Sequence, residues 1–297
     1  MQGAYSDELL ETVLNWVDVD PDEDVEAFTS TVNALLGELS VPLDEPIALG
    51  KFIGSGSFAR VYEYREGMAV KVLHHADDLY SYDSTIKELY ALMLLRGHPN
   101  VLNVIECHHV QNTAERIEDV YIVTELFERT LQDALWVTPI KLSKREKNTI
   151  EKSLIRAVKY VHSKNILHLD IKPENIYMRR DGSIVLGDFG CAREMIDNER
   201  QVTGGTPQYM RPSSFGRNQS RTRSDDMWSL ACTLYALRTG VPFVTAKIDP
   251  EIKPEYAPAA LKIAPTGAMY APILDEIRAN IKKVEEPYLS EMFHSSW

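Results

Sequence analysis

Apolar residues in the first 45 positions recur at helical spacing. Leu9, Leu10, Val13, Leu14 and Val17 follow a Ser6 cap, with Asp7 and Glu8 in the first turn, where the helix dipole favours negative charge. A second helix starts at Asp20-Pro21 and carries Val25, Phe28, Val32, Leu35 and Leu36 on one face until Gly37. The pattern predicts a helical appendage over residues 1–45. From Ile47 to about Val123 it changes to short β-type runs, such as Arg60 to Tyr64 and Met68 to Leu73. One helical stretch, from about Thr85 to Leu95, interrupts them and stops at His98-Pro99-Asn100, because a proline disfavours helix in the residue before it. Beyond Leu131 long helical segments dominate, with short strands at Ile176 to Met178 and Ile184 to Leu186. The expected fold is α+β and bilobal. It has a small antiparallel β lobe with one helix over 46–124, a hinge at 125–130 near Glu125 to Glu128, and a larger, mainly helical lobe over 131–297. No internal repeat or low-complexity block is present.

Charge sharpens this division. Residues 1–50 contain 12 Asp or Glu and no Lys or Arg, so the remaining 32 acids (44 minus 12) balance the 32 basic residues, and the whole net charge of -12 lies in the N-terminal segment. Such a segment either packs as a helix pair on the main domain or serves as a docking arm for a basic partner. Nucleic acid is not an expected partner, since phosphate attraction needs clustered Lys and Arg. Three widely spaced cysteines, Cys107, Cys191 and Cys232, support neither a disulfide framework nor a zinc site and point to a reducing compartment. No basic-then-apolar leader and no apolar run of bilayer length occurs, so the expected location is intracellular, cytoplasmic or nuclear, without a membrane partner.

The chemistry concentrates in a few segments. Gly54-Ser55-Gly56-Ser57-Phe58-Ala59-Arg60-Val61 lies between two strands, and its glycines would let a hairpin backbone close over phosphates. By itself this is also a plain β-turn, and Ala59 stands at the third glycine position. Ala69-Val70-Lys71 follows one strand later, as an ammonium reaching those phosphates requires. Glu88, on the following helix, could turn inward to pair with Lys71 and fix its direction. The decisive segment is His168-Leu169-Asp170-Ile171-Lys172-Pro173-Glu174-Asn175, with Asp188-Phe189-Gly190 beginning thirteen residues after Asn175. Phosphoryl transfer needs aligned reactants and charge neutralisation more than covalent help. Asp170 can orient and deprotonate an attacking hydroxyl, Lys172 can neutralise the migrating group, and Asn175 and Asp188 offer oxygen ligands to Mg2+.

With these residues in place the chain resembles the eukaryotic protein kinase superfamily over about residues 47–243. The resemblance implies a bilobal protein-kinase-like fold that uses ATP and Mg2+. In it Lys71 and Glu88 form an ion pair, Asp170 is the catalytic base, and Asn175 and Asp188 bind the metal. It further implies that Gly54, Ser55, Gly56, Ser57, Val61, Ala69, Thr124 as gatekeeper, Tyr177 and the backbone of Glu125 to Phe127 surround the nucleotide. Lys172 and Gly205-Thr206-Pro207-Gln208-Tyr209 look like the serine/threonine branch, with Thr206 bonding toward Asp170 and Lys172. Protein substrates carrying Ser or Thr follow, and Glu174 could favour a basic residue near the acceptor. Asp226, in Ser224-Asp225-Asp226-Met227-Trp228, would anchor the catalytic loop.

Several positions depart from the family pattern. Leu169 replaces the arginine that usually receives a phosphate on the activation loop, so activity is expected not to depend strictly on phosphorylation of Thr203 or another loop hydroxyl. Arg211-Pro212-Ser213 lacks the usual glutamate, and its late arginine partner is not evident in residues 244–297. Only 71 residues (297 minus 226) follow Asp226, interrupted by Pro242, Pro250, Pro254, Pro258, Pro265 and Pro272, which predicts an abbreviated or rebuilt lobe. Divergence in so compact a chain resembles kinases of large DNA viruses. Tyr177, at a position usually aliphatic, either narrows the nucleotide pocket or is a packing substitution. Cys191 reads as a packing residue, and His74-His75 and Cys107-His108-His109 cannot chelate one ion, because neighbours on a strand face opposite ways. The rival function is a pseudokinase scaffold that binds nucleotide and partners without catalysis. A kinase acting on a small molecule is a further alternative, against which the Gly205-Thr206 segment argues.

Overall fold

The computed structural model describes residues 40–44, 46–55, 59–74, 79–111, 117–195, 205–215, 221–245, 271–284 and 287–296. The two predicted N-terminal helices, Gly56, Ser57 and Thr203 lie outside them. The chain forms two compact units, one comprising Met1–Arg96 and Leu102–Leu126, the other Gly97–Val101 and Phe127–Trp297.

The first unit contains a six-stranded sheet in the order β1-β5-β6-β4-β3-β2. Its strands are β1 (Val41–Leu43), β2 (Phe52–Ser55), β3 (Ala59–Glu63), β4 (Met68–His74), β5 (Glu106–Gln111) and β6 (Ile117–Glu125). The predicted runs at Arg60 and Met68 are β3 and β4. Two expectations are corrected. The sheet is not wholly antiparallel, because β1 runs parallel to β5, with Val41 opposite His108. Residues 41–43 also form a strand rather than the end of a helical appendage. Pro42 has no N–H and cannot sit inside a helix, but an edge strand tolerates it, and Ser40 Oγ fastens this edge 2.7 Å from His109 Nδ1.

Alternation along β4 positions the chemistry. Val70 and Val72 point into an apolar cluster with Val110, Tyr121 and Val123, so Lys71 must point to the opposite face. Helix α1 spans Leu79–Leu94, six residues longer at its start than predicted. Thr85, Glu88, Leu89 and Leu92 on it are buried.

The second unit is mainly helical. Helix α2 (Lys144–Ser163) begins in a capping box between Ser143 and Glu146, and α3 (Arg223–Thr239) in one between Thr222 and Asp225. Gly240 closes α3 at φ 81°, the left-handed conformation glycine adopts without strain. Helix α3 is buried almost all round, from Trp228 to Leu237, which makes it the central post of this unit. Helices α4 (Ala271–Ile281) and α5 (Pro287–Ser296) follow it. Trp228 on α3 meets Phe293 of α5 with ring centroids 5.1 Å apart, and Phe243 stacks on Phe293 at 4.2 Å. The chain after Asp226 therefore keeps helices that share a core with α3.

Two small sheets complete the unit. β7 (Arg129–Thr130), β9 (Ile176–Met178) and β10 (Ile184–Leu186) form one, and β8 (Ile166–Leu167) pairs with β11 (Arg193–Glu194) in the other. Strands β9 and β10 have the bounds the sequence predicts. Asn100 joins this unit through Nδ2, which donates to the Ile184 carbonyl at 2.8 Å, and through its own carbonyl, which accepts from Leu186 N–H at 2.9 Å.

Candidate active site

In the first unit Lys71 Nζ lies 2.8 and 2.6 Å from the two carboxylate oxygens of Glu88. Glu88 is 2% exposed and the Lys71 side chain 23%, so the carboxylate end of the pair is sealed from solvent. A buried carboxylate that accepts from Nζ through both of its oxygens holds the lysine in one direction, as a phosphate-binding cation requires. In register, Lys71 faces Val61 on one neighbouring strand and Ile122 on the other, and Ala69 faces Thr124. Thr124 donates to the Glu125 carbonyl at 3.2 Å. Glu125 ends β6 opposite Met68. Ser55 is exposed at the end of β2, and among the described residues nothing lies within 4 Å of the place a Cβ on Gly54 would take.

In the second unit Lys172, Asn175 and Thr206 converge on Asp170, which is 8% exposed. Strand β8 ends at Leu167, and the chain then turns through Leu169 at φ 63°. That left-handed turn is strained for leucine. Asp226 holds it: its carboxylate accepts from His168 N–H at 2.8 Å and Leu169 N–H at 2.7 Å, and it contacts His162 Nε2 at 2.8 Å. The predicted anchor is thus in place, while His162, its third partner, carries no sequence signal. The Asp170 N–H donates to His168 Nδ1 at 3.2 Å, so His168 Nε2 carries the proton and donates to the Gly187 carbonyl at 3.0 Å.

Four donors surround the Asp170 carboxylate. Oδ1 accepts from Thr206 N–H at 2.9 Å and Thr206 Oγ1 at 2.8 Å, while Oδ2 lies 2.9 Å from Lys172 Nζ and 3.1 Å from Asn175 Nδ2. Lys172 Nζ donates in addition to Thr206 Oγ1 at 2.7 Å. Burial opposes the charge on Lys172, yet the neighbouring Asp170 carboxylate carries its pKa above the usual lysine range. Burial raises the Glu174 carboxyl, and burial together with Asp170 raises the Cys191 thiol, which disfavours its reactive thiolate. Gly205 stands at φ 94°, and a Cβ there would lie 2.6 Å from the Leu169 carbonyl oxygen. This close approach brings Thr206 to Asp170, a need that the Gly205-Thr206 pair alone does not reveal.

Asn175 is 4% exposed, and its Nδ2 is committed to the carbonyl and carboxylate of Asp170, which leaves its Oδ1 as an acceptor. Its backbone carbonyl accepts from Gly187 N–H at 2.9 Å, next to Asp188, which sits at φ 59°. Among the described residues no group of three or more His, Cys, Asp or Glu could hold a metal ion. Two oxygen donors, an amide and a carboxylate, suit a hard cation that brings phosphate and water as its other ligands, rather than a protein cage.

Phe127 and Tyr177 stack with ring centroids 5.1 Å apart, and the Arg179 guanidinium lies 5.8 Å from the Phe127 centroid. Tyr177 therefore has a packing partner within its own unit. His108 and His109 take separate partners, Glu106 Oε2 at 3.1 Å and Ser40, as residues on opposite strand faces must.

Residues 47–288 match the family profile described as protein kinase domain. The chain is 34% identical over 206 residues to mouse serine/threonine-protein kinase 36, an alignment covering 67% of this chain and 15% of that protein. It is 33% identical over 214 residues to CBL-interacting serine/threonine-protein kinase 15 of Arabidopsis thaliana, covering 66% and 47%. Against the cell cycle serine/threonine-protein kinase CDC5/MSD2 of Saccharomyces cerevisiae identity is 30% over 203 residues, covering 65% and 28%. The match thus spans less than half the length of each of these relatives. With most of its length inside one family profile, the chain belongs to the protein kinase domain family.

Proposed function

We propose that this chain transfers the γ-phosphoryl group of ATP, with magnesium as the divalent metal, to Ser or Thr hydroxyls of proteins. The observation that carries this reading is the Asp170 carboxylate held between Lys172, Asn175 and a threonine hydroxyl. An oxygen of Asp170 already accepts from one aliphatic hydroxyl, Thr206 Oγ1, so the carboxylate is placed to take the proton of another as it attacks phosphorus. Lys172, kept charged by Asp170, lies beside the other carboxylate oxygen, Oδ2, and would stabilise negative charge on the migrating group. Lys71, aimed by Glu88, would bind phosphate oxygens. Asn175 and Asp188 would hold the metal, which when bound shields phosphate charge. Relatives named serine/threonine-protein kinases support hydroxyl rather than phenol acceptors.

The test is label transfer from ATP in magnesium buffer to a generic basic protein, by the native chain and by Asp188→Ala. Transfer by the native chain alone is expected. Equal transfer by both, or none by either together with tight ATP binding, would overturn the enzymatic reading, and the second outcome would favour the pseudokinase scaffold.

Leu169 supports a second element of this reading. Its side chain is apolar and 5% exposed where a phosphate-receiving cation would stand. Chain purified without loop phosphate is expected to be active without prior treatment, checked by intact mass and initial rate on one sample. A preparation inert until Thr203 or another loop hydroxyl is phosphorylated would contradict it.

A further inference from the structure

The segment from Thr206 to Phe215 touches Asp170 at its first residue, and its far end needs a hold of its own. Helix α3 supplies two. Ser229 Oγ donates to the Tyr209 carbonyl at 2.6 Å. Ser214 Oγ donates to Asp225 Oδ1. Arg221 Nη1 lies 3.1 Å from the same Oδ1, and both side chains of this ion pair are only 5% exposed. The other oxygen, Oδ2, accepts from Thr222 N–H at 2.8 Å and Thr222 Oγ1 at 3.3 Å. Asp225 is therefore more than a helix cap, because one oxygen serves the cap and the other serves Arg221 and Ser214. Asp226, the next residue, reaches the opposite way, to His168 and Leu169. The first turn of α3 thus grips both strands of chain that meet at the Asp170–Thr206 contact.

We propose that Asp225, aimed by Arg221, is a positioning residue that fixes the Thr206–Phe215 segment through Ser214 and so sets the binding of the protein acceptor. This deepens the kinase reading and rests on it for the acceptor. The hold on the segment is a property of the fold alone. Sequence motifs do not show it, since Ser214 and Asp225 are eleven residues apart and neither stands in the catalytic set.

Ser214→Ala removes one hydroxyl from a half-buried site and leaves the Arg221–Asp225 pair and both caps intact. A hydrogen bond to a charged group lost at a local opening is expected to speed hydrogen exchange roughly tenfold. The peptides to read are those containing the protected amides of Tyr209, which donates to the Thr206 carbonyl at 2.8 Å, and Ser214, which donates to the Arg211 carbonyl at 2.9 Å. Exchange in α2 and the melting temperature should stay unchanged. In the same full-length variant KM for a peptide acceptor should rise roughly five- to tenfold with KM for ATP unmoved, and Ser214→Thr should restore both readouts. Unchanged exchange over 205–215, loss of protection spread through α2 and α3, or an unchanged peptide KM in active enzyme would overturn the proposal. Faster exchange confined to 205–215 supports the hold even in a chain that transfers no phosphate, so this inference and the kinase reading fail separately.

Discussion

Asp226→Ala is expected to lower stability by about 3 kcal/mol or more, because three buried donors lose their common acceptor. Asp226 is 1% exposed, and its loss orphans the His168 and Leu169 amides together with His162 Nε2. Each buried donor left without a partner costs about 1–3 kcal/mol. The same contacts hold Leu169 at φ 63°, a conformation that costs a non-glycine residue about 1–3 kcal/mol and persists only where neighbours enforce it. Without them Leu169 relaxes, its carbonyl leaves Gly205, and Asp170 loses Thr206. Urea unfolding with the m-value monitored gives the measurement. Asp226→Asn should also destabilise, because its amide NH2 would face donors that the carboxylate accepts. A change below about 1 kcal/mol for the alanine variant would contradict the anchoring role, since that is no more than one ordinary hydrogen bond.

Asp170→Asn should act on rate rather than on folding. The substitution keeps the shape of the side chain and one oxygen acceptor, but it removes the proton acceptor and places an NH2 among Lys172, Asn175 and Thr206. Loss of a positioned general base costs about a hundred- to ten-thousand-fold in kcat. KM for ATP should change little, because Lys71 and Glu88 are untouched. Steady-state kinetics for both substrates, with a melting curve to show the fold intact, separate the outcomes. A kcat within tenfold of the native value would remove Asp170 from the role of base.

Much of this was readable from residue spacing. Short β-type runs mark β3, β4, β9 and β10; β9 buries Ile176 and Met178 and β10 buries all three of its residues, so a slip of register there would be costly. Asp170, Lys172 and Asn175 sit within one short turn, so their mutual reach follows from the chain itself. Lys71 and Glu88, seventeen residues apart, were legible because strand and helix periods both turn them inward. What stayed hidden depends on contacts with no periodic trace. The parallel pairing of β1 rests on an edge and a Ser40–His109 contact. Helix α1 begins at Leu79 although its first turn holds no acidic residue to mark the start. The split of duties between Asp225 and Asp226 depends on which way two adjacent side chains leave one helical turn, and composition says nothing of that.

Strand β1 has a practical consequence. It covers β5, which would otherwise be the outermost strand of the sheet, and an exposed row of amides and carbonyls recruits strands from other molecules. The family match begins at residue 47, beyond this strand. A truncation trimmed to the recognisable domain would strip β1 from β5 and expose that strand to self-association, whereas one that starts ahead of Ser40 keeps β5 paired on both sides.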